Sequence, residues 1–340
     1  MESPPIEYNT LHLKRHQPSD TFNASNSQTI HRHNPLQVSF NNYHSHFNTN
    51  SRLFVGLRNV GNTCYINSSL QLLDHINEPP NNIFEFPSFA SRDRLDLLVS
   101  DFWQPDGQLL NKNYSQQDAC DFLNSIMRSS KYRNICLEYF NIKFTITKKL
   151  DCTKHKDIEE NRITDDEVYI YDLDFVKNNL KSTQILQLLA FQQSLQTSPD
   201  QLICSSCLTG KYGQKYTYTL AEEGDCKSPG KHSTRIINSP NFFIIRLKRF
   251  KWNSNKTYSK DTSDVEVDMN LSINGKPYKL LAYIVHEGSD LTEGHYYLVS
   301  LKNYPSFYKI SDEQVDILNE SQEIRLRKQA YIILYKKMDT

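Results

Sequence analysis

The sequence predicts an α+β fold, and three observations lead there. Apolar residues recur with helical spacing in the first half, β-branched and aromatic runs fill the second half, and the two kinds of segment follow one another instead of alternating. With 340 residues the chain is long enough for one large globular domain or two ordinary ones, each burying a real core.

Residues 1–50 stand apart. They hold six of the eleven histidines among many Asn and Ser, with Phe22, Phe40 and Phe47 isolated between polar neighbours. Such a segment buries too little apolar surface to offset the entropy of ordering it, so a disordered tail is expected. The irregular spacing of His12, His16, His31, His33, His44 and His46 fits a solvated tail better than a metal site. Residues 51–340 form the expected domain. After the glycine-bearing loop Gly56 to Gly61, Ile66, Leu70 and Leu73 recur at i, i+4 and i+7, which predicts a helix from Thr63 or Cys64 with Asn62 or Thr63 as its cap. Ala119, Phe122, Leu123, Ile126 and Met127 mark a second helix, and Ile185, Leu188 and Leu189 a third. The first half is therefore expected to be helical. Strands are expected over Phe242 to Leu247, Tyr278 to Val285, His295 to Leu301, Phe307 to Ile310 and Ala330 to Tyr335.

Composition excludes several classes. No apolar run approaches the roughly 18 residues that span a bilayer, and the polar, proline-bearing start is unlike a secretory signal, so an intracellular protein of cytoplasm or nucleus, without membrane contact, is expected. Lysine plus arginine equals aspartate plus glutamate at 39 each, which gives no footprint for nucleic acid. Lys248, Arg249 and Lys251 form a small basic cluster, but their strand context favours a structural role. Seven cysteines spread over a long chain predict free thiols and metal ligands, not a disulfide scaffold.

Cys64 sits where a helix begins, and unpaired N–H groups and the helix dipole there stabilise a thiolate. A cysteine nucleophile also needs a base and a group that orients it; His295 follows Gly294 at a strand start and is a candidate base. The literal residues go further. Gly56-Leu57-Arg58-Asn59-Val60-Gly61-Asn62-Thr63-Cys64-Tyr65-Ile66-Asn67-Ser68, continuing to Leu70-Gln71, closely resembles the cysteine box of ubiquitin-specific proteases. His286-Glu287-Gly288, Gly294-His295-Tyr296 and the run from Phe307 to Val315 resemble that family's histidine box, and Ser115 to Ala119 and Leu247 to Phe250 resemble two further signatures. The resemblance covers about residue 52 to the C-terminus.

The resemblance implies a papain-like cysteine protease with a helical thumb carrying Cys64, a β-rich palm carrying His295 and zinc-stabilised β fingers. It implies ubiquitin and ubiquitinated proteins as partners, with hydrolysis at the ubiquitin C-terminal glycine. Asn59 matches the position whose amide stabilises the oxyanion. The family usually has Asp or Asn where Ser311 stands, often followed by a second Asp, as Asp312 follows here. A neutral hydroxyl binds an imidazole more weakly than a carboxylate does, which leaves the orienting role open between Ser311 and Asp312. Gln117, Asp118 and Asp121 match positions that meet the basic tail of ubiquitin. Cys152 with His155 and Cys204 with Cys207, two pairs with two-residue gaps where the family's fingers carry Cys-x-x-Cys pairs, imply a structural zinc ion. The alternatives to a deubiquitinase are a non-catalytic ubiquitin-binding scaffold and a protease for a ubiquitin-like modifier.

Overall fold

The computed structural model describes residues 56–76, 84, 116–150, 158–164, 166–174, 184–194, 196–197, 202–203, 227–228, 230–253, 258–291 and 293–339. These lie in one compact unit, Arg52–Thr340. The expected tail over 1–50, and Cys152, His155, Cys204 and Cys207, lie outside the described residues.

The described elements begin with α1 (Cys64–Asp74), α2 (Ala119–Arg128) and α3 (Arg133–Tyr139), followed by β1 (Phe144–Leu150), β2 (Ile158–Ile163) and β3 (Ile170–Leu173). Next come α4 (Ile185–Gln193), β4 (Gln196–Thr197), β5 (Leu202–Ile203), β6 (Lys227–Ser228), β7 (Gly230–Ile236) and β8 (Phe242–Leu247). The chain continues through β9 (Phe250–Trp252), β10 (Tyr258–Lys260), β11 (Asn270–Ile273), β12 (Lys276–Glu287) and β13 (His295–Ser300). It ends with β14 (Phe307–Ser311), β15 (Gln314–Leu318), α5 (Glu320–Arg327) and β16 (Ala330–Lys337). The first half is thus not purely helical, because β1 and β2 fall within it.

A large sheet runs β15-β14-β13-β12-β16-β8-β3, with β11 paired to β12, and a second sheet runs β2-β1-β7-β4. In the large sheet β3 lies parallel to β8 and the other pairs are antiparallel. Its central strands read as nearly unbroken apolar runs, FFIIRL in β8 and AYIILY in β16, because both faces are covered. On one face Ile244, Ile284, Leu298 and Ile332 pack with α1, α2 and α3. On the other, Phe243, Tyr283, Val299 and Ile333 pack with Ile185, Leu188 and Leu189 of α4. Each fully buried side chain of this kind contributes about 1.5–3 kcal/mol. No helix among the described residues is long and apolar enough to cross a membrane.

Of the basic cluster, Arg249 has a structural role. Arg249 is buried, and its guanidinium donates to the carbonyl oxygens of Ala330, Lys328, Asp261 and Ser263 at 2.7–3.1 Å. Lys248 pairs with Asp174.

Candidate active site

The first helix is buried along its length, since every residue from Cys64 to Leu73 is covered, by β13 and α2 among others. Small serines allow this close packing, and Ser69 Oγ finds a partner within the helix by donating to the Tyr65 carbonyl at 2.7 Å. Thr63 occupies the N-cap position without capping the helix through its side chain. Its hydroxyl instead donates to Asn59 Oδ1 at 3.2 Å and accepts from the Val60 N–H at 3.1 Å. The first-turn N–H groups therefore remain directed at the position where Cys64 stands. Burial pushes the Cys64 thiol up, the backbone N–H groups of Tyr296, Tyr65 and Cys64 itself pull it down, and the nearby Asp312 charge opposes them.

His295 opens β13, the strand that packs against α1, whose first residue is Cys64. His295 Nε2 lies 2.7 Å from Ser311 Oγ at the end of β14, and 3.9 Å from Asp312 Oδ2. Both proposed orienting groups thus stand on the same ring nitrogen, at different ranges. Asp312 and Glu313 form the two-residue turn between β14 and β15, with Asp312 at φ +51°. That left-handed backbone, tolerated by Asp through its short polar side chain, lets neighbouring residues turn to one site where a straight strand would send them to opposite faces.

The Asp312 carboxylate also accepts two amides. Asn59 Nδ2 donates to Oδ2 at 3.0 Å, and Asn67 Nδ2 donates to Oδ1 at 2.8 Å. Asn59 Oδ1 accepts from the N–H groups of Gly61 and Thr63 as well as from the Thr63 hydroxyl, which fixes which way its amide faces. The Leu57 N–H donates to the Asp312 carbonyl at 2.8 Å, so the loop before Cys64 is stitched directly to the β14–β15 turn. Gly56 is required there, because a Cβ would collide with the Glu313 carbonyl.

Asp118 serves as the N-cap of α2, accepting from the Cys120 N–H at 2.8 Å, and both its oxygens accept the Tyr331 hydroxyl at 2.7 Å. Burial, then the Asp121 charge, raises its pKa to about 6. Asp121 is 65% exposed, with Oδ1 3.9 Å from Arg246 Nη1. Arg246 is in turn held by Asp172 through two 2.7 Å bonds. Gln117 is half-buried beside them. The sequence reading missed Asn67, Gln116 and Lys260. Gln116 Nε2 lies 3.2 Å from His286 Nε2, and Lys260 Nζ donates to the carbonyls of His286 and Gly288 at the root of the β12–β13 loop. Asn67 and Gln116 lie inside the motifs quoted above, but no spacing rule marks their partners.

A buried thiol at an open helix N-terminus, an imidazole held at one nitrogen and an amide fixed nearby define a site of the cysteine-hydrolase class. The family model described as ubiquitin carboxyl-terminal hydrolase matches residues 55–335, and the chain belongs to this family. It is 26% identical over 333 residues to the Drosophila melanogaster "Ubiquitin carboxyl-terminal hydrolase Usp2", covering 83% of this chain and 34% of that protein. It is 23% identical over 303 residues to the Homo sapiens "Ubiquitin carboxyl-terminal hydrolase 17-like protein 15", covering 82% of this chain and 53% of the relative. A shorter match to Saccharomyces cerevisiae "Ubiquitin carboxyl-terminal hydrolase 10" is 29% identical over 116 residues, covering 32% of this chain and 14% of that one. The chain thus spans from about a seventh to about half of these relatives' lengths. The fold is similar to that in the "Structure of the SAGA Ubp8/Sgf11/Sus1/Sgf73 DUB module bound to ubiquitin aldehyde", with TM-score 0.59, 18% identity, and coverage of 84% of this chain and 70% of the other.

Proposed function

We propose that this chain is a cysteine-type deubiquitinase that hydrolyses isopeptide or peptide bonds at the C-terminal glycine of ubiquitin. The observation that carries the reading is the packing of β13, which opens at His295, against α1, which opens at Cys64, with His295 held through Nε2 by Ser311.

The Asp312 charge near Nε2 favours a proton on that nitrogen, donated to Ser311 Oγ, which leaves Nδ1 as the basic atom. His295 Nδ1 takes the proton from Cys64, and the thiolate attacks the glycine carbonyl carbon. Negative charge that develops on the carbonyl oxygen is met by the N–H groups of the first turn of α1 and by the second amide hydrogen of Asn59. His295 then returns its proton to the leaving amine. Water, deprotonated by the same Nδ1, hydrolyses the thioester and frees Cys64.

Ser311 fixes the tautomer, and Asp312 stabilises the imidazolium while holding Asn59 in place. Within the Gln117, Asp118 and Asp121 group, Asp121 has the exposed carboxylate to meet a basic tail, whereas Asp118 is used as cap and Tyr331 acceptor. The experiment is hydrolysis of a fluorogenic ubiquitin C-terminal conjugate: wild type turns it over and Cys64→Ala does not. Equal turnover by both proteins contradicts the assignment.

The reading extends to a papain-like thumb and palm and to fingers that hold structural zinc through Cys152, His155, Cys204 and Cys207. Leu150 is paired with Gly230 and Ile203 with Lys227, three residues apart on the chain. Bound zinc would cross-link those two stretches. Metal analysis of purified protein is expected to give one zinc per chain, and none bound speaks against the site.

A further inference from the structure

Asn67 is a buried polar residue one turn below Cys64, and its amide is used on one side only. Its Nδ2 has three acceptors, Asp312 Oδ1 at 2.8 Å and the carbonyls of Leu57 and Arg58 at 3.2 and 3.3 Å. Its Oδ1 is buried with no hydrogen-bond partner. An amide oxygen left unpaired in the interior is costly, and an apolar residue of similar volume would avoid that cost. What an apolar residue would not supply is the pair of N–H donors.

Those donors span two pieces of the site that the chain separates widely. Leu57 and Arg58 belong to the loop leading to Cys64, and Asp312 belongs to the β14–β15 turn that follows Ser311. Asp312 carries its charge on two oxygens with different partners: Oδ1 takes Asn67, and Oδ2 faces both Asn59 Nδ2 and His295 Nε2. The grip on Oδ1 decides where Oδ2 points. Without it the carboxylate is free to rotate about its last bond, and neither Asn59 nor His295 keeps a fixed charged partner.

We infer that Asn67 is a positioning residue that locks the Asp312 carboxylate and, through it, sets the Asn59 amide and the His295 imidazole in mutual register. The inference rests on the deubiquitinase reading for its kinetic test but not for its spectroscopic one. Asn67→Leu keeps the branched shape and removes the donors. Loss of a charge-assisted hydrogen bond at this point is expected to lower kcat about tenfold or more on the fluorogenic ubiquitin conjugate, with KM little changed. In an Asp312→Ala background the same substitution is expected to cost nothing further, because the group it acts through is gone. A loss that multiplies with that of Asp312→Ala, a loss confined to KM, or no loss would overturn the inference. Should Asn67→Leu not fold, Asn67→Ser carries the same cycle.

The second readout needs no substrate. With the carboxylate no longer fixed opposite Nε2, the imidazole resonances of His295 at a fixed pH shift in Asn67→Leu, and the same substitution leaves them in place in the Asp312→Ala background. Unmoved His295 resonances in both backgrounds contradict the inference. A wild type inactive on ubiquitin but showing this shift would fail the functional reading and leave the positioning role standing.

Discussion

In the proposed mechanism Ser311 and Asp312 divide a task that a single carboxylate performs in a simple triad. The hydroxyl holds Nε2 at 2.7 Å, but a neutral hydrogen bond contributes only about 0.5–1.5 kcal/mol, so Ser311→Ala is expected to lower kcat about three- to tenfold. Asp312 lies farther from the ring at 3.9 Å, yet it accepts both Asn59 and Asn67 and carries the charge that balances an imidazolium. Asp312→Ala therefore removes charge-assisted bonds of about 1.5–3 kcal/mol and is expected to cost roughly 10- to 100-fold. Steady-state kinetics of the two variants decide the matter, and a larger loss for Ser311→Ala contradicts the division. Cys64, His295 and Asn59 were legible as letters in motifs. The partition between Ser311 and Asp312 was not, because it depends on the +51° φ at Asp312, which no residue type prescribes.

Among the elements, those legible in the sequence are the ones whose burial imposes a pattern. Strand β8 falls on its expected residues, and α4 begins at the expected Ile185, because their apolar side chains face a core. Strands β1, β2 and β15 escaped, since FTITKKL, IEENRI and QVDIL mix charge with apolar residues, and most of β15 faces solvent. Helix α5 also escaped, although Asn319 and Gln322 form a capping box that can be read from the sequence. The loop between β12 and β13 depends on Gly294, which has φ +132° and lies so close to Glu287 that a Cβ would strike its carbonyl oxygen. Gly294→Ala is thus expected to displace the adjoining His295 and abolish most activity, with the loss carried by kcat. Full activity in a folded Gly294→Ala protein would show that the pinched loop root does not position the base.

At the scale of the whole molecule, buried titratable groups set how stability depends on pH. Burial lowers His75 to about 4, and both its nitrogens are occupied in the core, Nδ1 by the Gln71 carbonyl and Nε2 by the Ser300 hydroxyl, each at 2.7 Å. His286 is lowered to about 4 as well, by burial first and then by the Lys260 charge. Both groups bind fewer protons when folded, so their contribution is fully present above about pH 6.5 and is lost as pH falls towards 4. Asp118, raised to about 6, acts in the opposite sense, binding its proton more tightly when folded and offsetting part of that loss between pH 6 and 4. Thermal melts are therefore expected to fall from pH 6.5 to 4.5, with a shallower slope in His75→Gln; identical slopes would remove His75 from the account. The central claim is that a folded thiol hydrolase recognises the ubiquitin tail and attacks it with Cys64. Its most direct test is the gel shift of purified protein with a ubiquitin probe bearing a C-terminal electrophile. The account predicts a covalent adduct in wild type and none in Cys64→Ala; no adduct with folded wild type, or an adduct that survives Cys64→Ala, would contradict it.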